Sequence, residues 1–355
     1  MEGIPMEARQ RLALLLGGAG RRVRRMVAAA EDGDPFERVV AGGVPPGSLA
    51  AARRALDQEV PAVLERAASR GWRWVTPETG GYPELLAGTA DPPLGLFVAG
   101  ELPSGPAVAI VGSRRATAYG RQVAELLGRE AAAAGATVVS GMARGVDAAA
   151  HRGALAAGGP TVAVWGTGPG RVYPAEHGRL AEEIRSAGAL ISEYLPGTPP
   201  RRHHFPERNR IIAGMVPVLV VVEAAARSGA LVTARLALDE GREVFAVPGS
   251  ILSEASVGPN TLLRLGARPL LGPRDLLEEL ALTGRERRSG EEDPLGGALP
   301  AGESRPVEEI AEAMGRPLPE VLELLLELEM EGRIVRAPDG RYSLAAGEIG
   351  GTAGQ

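Results

Sequence analysis

The chain contains no cysteine, which excludes disulfides, thiolate nucleophiles and cysteine-based zinc sites and suits a cytoplasmic protein. It contains no lysine either. All 39 basic residues are arginine, so a Walker A loop, Schiff-base catalysis and pyridoxal chemistry drop out. Histidine occurs only at 151, 177, 203 and 204, which leaves little for a metal centre or a histidine base, and no cofactor or metal is expected. Aromatic residues make up 3% of the chain, so any stacking on a ligand would rest on a few rings. No run of 18 apolar residues occurs, and the first residues lack a charged-then-apolar leader pattern. A soluble protein with no membrane contact is expected.

What is present becomes informative once charge is divided along the chain. The net charge of -5 looks wrong for a partner of nucleic acid. Residues 105–210, however, carry 13 arginines against 8 acids and all four histidines, while residues 276–355 carry 8 against 17. Electrostatic footprints are local, so a segment of net +5 inside an acidic chain can hold a polyanion. The densest part is His203-His204-Phe205-Pro206-Glu207-Arg208-Asn209-Arg210, preceded by Arg201 and Arg202. A proline-rich entry followed by Asn209-Arg210-Ile211-Ile212 reads as an ordered loop feeding a helix, with cations at its mouth.

The 355 residues have room for two or three domains. Residues 1–65 read as short helices, Glu7–Leu16 and Arg21–Ala30 around the Gly17-Gly18-Ala19-Gly20 break. That outline fits a helix-hairpin-helix or SAM-like unit, and equally a small bundle with a solvated basic face. Residues 66–105 read as a bridging segment. From 106 to 282, apolar strands alternate with helical stretches: Ala107–Val111, Thr137–Val139, Thr161–Trp165, Leu190–Ile191, Val218–Val222, Val244–Val247 and Pro269–Leu271. Continuous β-branched runs of this kind predict an α/β domain, a doubly wound, mostly parallel sheet covered on both faces. Residues 283–303 read as a polar linker and 304–346 as a winged-helix outline. In the latter, Ser304 would cap a helix over Val307–Met314, a second helix would cover Pro317–Glu331, and a hairpin would turn at Pro338-Asp339-Gly340. The second helix carries glutamates and no arginine, which marks a protein-contact or regulatory module, not a reader of DNA. Residues 347–355 read as a disordered tail.

Ligands of an open parallel sheet lie beyond the carboxyl ends of its strands. The first predicted strand of the α/β domain ends in Gly112-Ser113-Arg114-Arg115, and the second in Ser140-Gly141-Met142-Ala143-Arg144. Each is a turn of small residues and arginine just before a helix, a form that suits an anion. The third ends in Gly166-Thr167-Gly168-Pro169-Gly170. No G-x-G-x-x-G follows the first strand and no acid ends the second, so a dinucleotide site fits poorly. A row of separate phosphate cradles predicts recognition of a strand's backbone, with little sequence preference. Phe205 is the foremost ring for a base, while Asp147, Glu223 and His151 read as internal, packed partners.

These motifs resemble the DNA-processing protein A family (DprA, also called Smf). The resemblance rests on Val108-Ala109-Ile110-Val111-Gly112-Ser113-Arg114, on Ser140 to Asp147 with Ala150-His151, and on Tyr173-Pro174 and Ser192-Glu193. It continues through Phe205 to Gly214, Val222-Glu223-Ala224, Ser228 to Ala234, Phe245 to Ser250 and Gly258-Pro259-Asn260. It implies an extended Rossmann-like fold, flanked by a helical N-domain and a winged-helix C-domain. It also implies a homodimer that binds single-stranded DNA and loads the RecA recombinase during natural transformation, without enzymatic activity. Phosphate contacts would fall on Gly112, Ser113, Arg114, Ser140, Gly141, Phe205, Arg208, Asn209 and Arg210, with Arg202 where some members have lysine. The same loops and Glu223 also resemble the Rossmann-like phosphoribohydrolases. Residues 223–233 depart from the Pro-Gly-Gly-x-Gly-Thr loop of those enzymes, yet a nucleotide-binding enzyme stays open as the alternative.

Overall fold

The structure is a computed structural model. It describes residues 4–344 except 19, 30–33, 43–45, 289–294, 296, 297, 301, 302, 331–333, 338 and 339. Two compact units divide the chain at residue 284.

The first unit opens with five helices: α1 (Met6–Leu16), α2 (Arg21–Ala29), α3 (Pro35–Ala41), α4 (Pro46–Gln58) and α5 (Val60–Ala68). Asp34 starts α3 with a capping box, its carboxylate taking the amides of Phe36 and Glu37 at 2.9 Å each. Ala19 and Ala30, part of the expected glycine break and second helix, lie outside the described residues. The segment read as a bridge then contributes two strands of its own, β1 (Arg73–Val75) and β2 (Leu96–Gly100), around the short helix α6 (Glu84–Ala87). They form an antiparallel edge, with β1 on β2 and β2 on β6 (Ala189–Ser192).

Between β2 and β6 run β3 (Ala107–Val111), α7 (Ala118–Ala133), β4 (Thr137–Ser140), α8 (Val146–Ala156), β5 (Thr161–Val164) and α9 (Gly178–Ala187). After β6 come α10 (His204–Gly214), β7 (Val218–Val221), α11 (Gly229–Asp239), β8 (Glu243–Ala246), α12 (Val257–Arg264), β9 (Arg268–Pro269) and α13 (Pro273–Arg288). The sheet order is β1-β2-β6-β5-β4-β3-β7-β8-β9, parallel from β6 to β9. This is the doubly wound, mostly parallel sheet that the apolar runs predict.

Alternate residues of one strand reach opposite faces, and here both faces are buried. In β3, Ala109 and Val111 join a core with α10 and α11, whereas Val108 and Ile110 join another with α7, α8 and α13. A third core sits at the antiparallel edge, where Trp74, Phe97 and Leu190 meet α9 and the N-terminal helices. The Trp74 indole donates to the Ala8 carbonyl at 2.9 Å, tying the helical bundle to the edge strand.

The second unit contains β10 (Ser304–Arg305), α14 (Val307–Met314), α15 (Leu318–Met330), β11 (Ile334–Arg336) and β12 (Tyr342–Leu344), with sheet order β10-β12-β11. Helix, helix and hairpin follow the expected winged-helix outline. Ser304 does not cap α14. It pairs in β10 instead, and Pro306 occupies the cap position without a side-chain bond. The stretch read as linker also does more than connect, because α13 runs to Arg288, and Leu295, Ala298 and Leu299 enter this unit's core. Pro338-Asp339 of the expected turn and the tail at 347–355 lie outside the described residues. No helix among the described residues is long and apolar enough to cross a membrane.

Candidate functional site

The order of the sheet fixes where a ligand can sit. β3 lies between β4 and β7, and the helices that follow β3 and β7 leave to opposite faces, α7 to one core and α11 to the other. Such a reversal opens a crevice at the carboxyl ends of the two strands. A cleft of about 360 Å³ occupies it. Gly112, Ser113, Arg114 and Arg115 form one wall, Ala225, Ser228, Gly229 and Ala230 the other, and α10 adds Arg208 and Asn209.

The walls are shaped by internal bonds. The Glu223 carboxylate accepts the Thr117 amide at 2.9 Å and its hydroxyl at 2.6 Å, while the Glu223 carbonyl accepts the Ser113 amide at 2.7 Å. Glu223 therefore ties the β3 loop to the end of β7, the bracing role predicted for it. Thr117 in turn caps α7 through the Gly120 amide. Opposite, the Ser228 hydroxyl caps α11 by accepting the Ala230 amide at 3.2 Å, so the positive end of that helix faces the cleft.

Arg208 is the centre of the charge. Its side chain is on α10, whose first turn accommodates Pro206 without loss of a hydrogen bond. The residue is only 3% exposed, and its partners are neutral oxygens: Nη1 donates to the Gly141 carbonyl at 3.0 Å and Nε to the Asn209 amide oxygen at 3.3 Å. None of the described carboxylates makes an ion pair with it. Burial pushes its pKa down to about 10, Asp147 opposing and Arg114 adding to the shift. Gly141 leaves room for the guanidinium, since a Cβ would fall 2.5 Å from Nη2 and push it aside. Asp147 lines the same cleft, its carboxyl raised above the ordinary range by burial, against the pull of Arg208. The loop between Gly141 and Asp147 holds buried Met142 at a φ of 53°, a left-handed conformation rare outside glycine.

A smaller recess adjoins the cleft, lined by Arg114, Arg144, Tyr173 and Phe205 among others. Arg114 lies over the Phe205 ring at 5.0 Å, and Tyr173 packs on that ring at 5.2 Å. The ring predicted for a base is thus held between an arginine and a second aromatic, with Tyr173 the more exposed of the two. Arg144 is exposed and paired with Glu176 at 2.5 Å.

Of the twelve residues predicted for the site, Gly112, Ser113, Arg114, Arg115, Arg208 and Asn209 line the cleft, and Gly141, Arg144 and Phe205 line the recess beside it. Three do not belong to either. Ser140 is fully buried and its hydroxyl donates to the Ile110 carbonyl at 2.7 Å, so it is unavailable to a ligand. Arg210 points away from the cleft, where it meets Glu193 at 2.5 Å and Asp91 at 3.4 Å. Two residues along a helix is a turn of about 200°, which separates it from Arg208. Arg202 is exposed and lines neither hollow. The third predicted cradle is closed on itself, with the Gly168 amide donating to the Thr198 carbonyl and the Thr167 hydroxyl to that of Arg171. His204 is buried against Tyr194 and pairs with the Gly166 carbonyl. His151 is sealed in the core on the Thr161 hydroxyl, as predicted of a packed histidine.

The α11 wall was not among the predicted site residues. Its signal was available in Ser228-Gly229-Ala230-Leu231, a capping serine ahead of an apolar helix that begins beyond a strand end.

Fold and cleft together define a Rossmann-like module that gathers a buried cation, exposed arginines and a helix N-terminus at its switch point. The family model for DNA recombination-mediator protein A matches residues 73–281, and that for the DprA winged helix domain matches 285–340. The chain belongs to the DNA recombination-mediator protein A family, which assigns it to DNA processing and recombination. It is 42% identical to protein Smf of Escherichia coli K12 over 280 residues, covering 74% of this chain and 75% of that protein. It superposes on DNA processing protein A from Streptococcus pneumoniae with a TM-score of 0.69 at 32% identity, over 77% of this chain and 97% of that one. A structure that describes the single-stranded DNA binding mode of DNA processing protein A from Helicobacter pylori gives a TM-score of 0.55 at 30% identity, over 60% and 98%.

Proposed function

We propose that the switch-point cleft holds backbone phosphates of single-stranded DNA without base specificity. The carrying observation is Arg208, a buried cation with no carboxylate in ion-pair contact, at a cleft that α11 also faces with its amino end. Burying an unpaired charge is costly unless a counter-ion arrives, and a phosphodiester supplies one. Gly112, Ser113, Arg114, Arg115 and Asn209 share the contact, Arg144 and Phe205 flank it, and exposed Arg202 adds long-range attraction. The single-stranded DNA bound by the H. pylori relative supports this reading.

The protein then acts as a non-enzymatic mediator that loads RecA on the bound strand in the cytoplasm, the role implied by its family. Glu223 and His151 are committed to internal bonds, which supports binding over catalysis. A homodimer is the working form. Ile251 and Leu252 after β8 and Leu271 after edge strand β9 are strongly exposed, which supports self-association on that side.

Titration of labelled oligo-dT at two salt concentrations tests the reading. Affinity should fall steeply with salt and differ little among base sequences. Absence of binding, together with release of a base from a nucleoside monophosphate, would favour the hydrolase alternative.

A further inference from the structure

The second unit carries a feature that phosphate binding does not use. α15 turns Val321, Leu325 and Leu328 inward, where they complete a core with Ile310, Ile334 and Tyr342. Leu318, Leu322 and Leu326 take no part in that core, and they are 39%, 42% and 57% exposed. Steps of four place them in one row along the helix, beside its buried face. A single exposed leucine is ordinary, but three in register form a surface.

The charges around the row restrict what can cover it. Glu323 is exposed on the far flank, Glu329 lies at the carboxyl end of the same row, and exposed Glu320 faces the opposite side of the helix. Between residues 317 and 332 the sequence holds five glutamates and no basic residue. Arg316, just before the helix, is already 3.7 Å from Glu320. In a DNA-reading winged helix this second helix would approach phosphate, and here it repels it. An anionic lipid surface is repelled in the same way.

We infer that α15 is a docking face for a basic amphipathic helix of a partner protein. Its apolar stripe covers Leu318, Leu322 and Leu326, and its lysines or arginines meet Glu323 and Glu329. The surface shares no residue with the phosphate cleft, so it stands or falls independently of that reading.

The test uses the full chain and three labelled synthetic peptides of about eighteen residues, five helical turns. One is a Leu/Lys amphipathic helix, one replaces each Lys with Glu, and one scrambles the Leu/Lys order. Fluorescence anisotropy should show saturable binding of the first, with the scrambled peptide at least about tenfold weaker and the Leu/Glu peptide unbound. The double substitution Leu322→Glu, Leu326→Glu should weaken the first peptide by about tenfold or more. Glu323→Arg with Glu329→Arg alters no buried position, so the unit should still melt cooperatively, and it should transfer preference to the Leu/Glu peptide. Equal binding of ordered and scrambled peptides, or unchanged preference after the charge reversal, overturns the inference. So does a wild-type chain that ignores the peptides but dimerises through this face, with the dimer lost in the Leu322→Glu, Leu326→Glu chain.

Discussion

Arg208 and Arg210 sit two residues apart on α10, and the structure predicts opposite consequences of replacing each with methionine. Arg208 makes no ion pair, and its pKa near 10 against an ordinary 12.5 corresponds to a penalty of roughly 3 kcal/mol on its charge at neutral pH, burial and Arg114 outweighing the pull of Asp147. Arg208→Met removes that cost along with two hydrogen bonds to neutral oxygens, each contributing about 1 kcal/mol. Thermal stability should therefore stay the same or rise. Affinity should not. A charge-assisted bond to phosphate contributes about 1.5–3 kcal/mol, so binding of oligo-dT should weaken by about 10- to 150-fold. The slope of log affinity against log salt should shrink by about 0.7 for the single phosphate lost. Arg210→Met instead strands Glu193, its carboxylate left buried without its 2.5 Å partner, while Asp91 keeps Arg24 at 2.9 Å. Breaking one side of a buried ion pair costs about 3–5 kcal/mol, with little effect on affinity below the melting temperature. Anisotropy at about 50 and about 200 mM salt, beside thermal unfolding of both variants, separates the two. If Arg208→Met melts as low as Arg210→Met and binds DNA normally, the assignment of Arg208 to the ligand is wrong.

Three further outcomes are expected. Gly141→Ala places a Cβ 2.5 Å from Arg208 Nη2, and the displaced guanidinium should lower oligo-dT affinity by about tenfold or more, read by the same anisotropy assay. Ser140→Ala should lower stability by about 1–3 kcal/mol in chemical denaturation, because it leaves the buried Ile110 carbonyl short of its donor, with no change in the salt slope of binding. His151, held neutral by burial with its pKa down to about 3, stabilises the fold fully above pH 6.5 and loses that contribution as pH falls toward 3. Between pH 7 and pH 5 the loss is about 2 kcal/mol, so His151→Gln should show a correspondingly flatter decline in denaturation free energy. His204, lowered by burial as well, is present in both proteins and cancels in that comparison.

The parallel strands were legible because each is short, β-branched and buried on both faces, so periodicity gives way to a continuous apolar run. β1 and β2 were not. Their three and five residues sit among prolines and glycines, and their pairing depends on β6, almost a hundred residues later for β2. Loop chemistry pointed to Gly112 to Arg115, which do line the cleft, since small residues and arginine at a strand end leave the backbone turn and the guanidiniums open to the crevice. It misplaced Ser140, because a serine that ends a strand can turn its hydroxyl inward onto the neighbouring ladder as easily as outward. Arg210 was misread for a different reason. Its two acidic partners, Asp91 and Glu193, come from distant segments, and only the folded chain brings them together.

The three apolar side chains that the polar stretch before residue 303 lends to the second unit bear on how the protein can be divided. A fragment started at Glu303 keeps every named strand and helix of that unit yet lacks Leu295, Ala298 and Leu299 from its interior. Proteolytic or genetic separation should therefore yield a stable piece only if the cut falls ahead of Leu295, and a cut between Leu299 and Glu303 should release a fragment prone to aggregate.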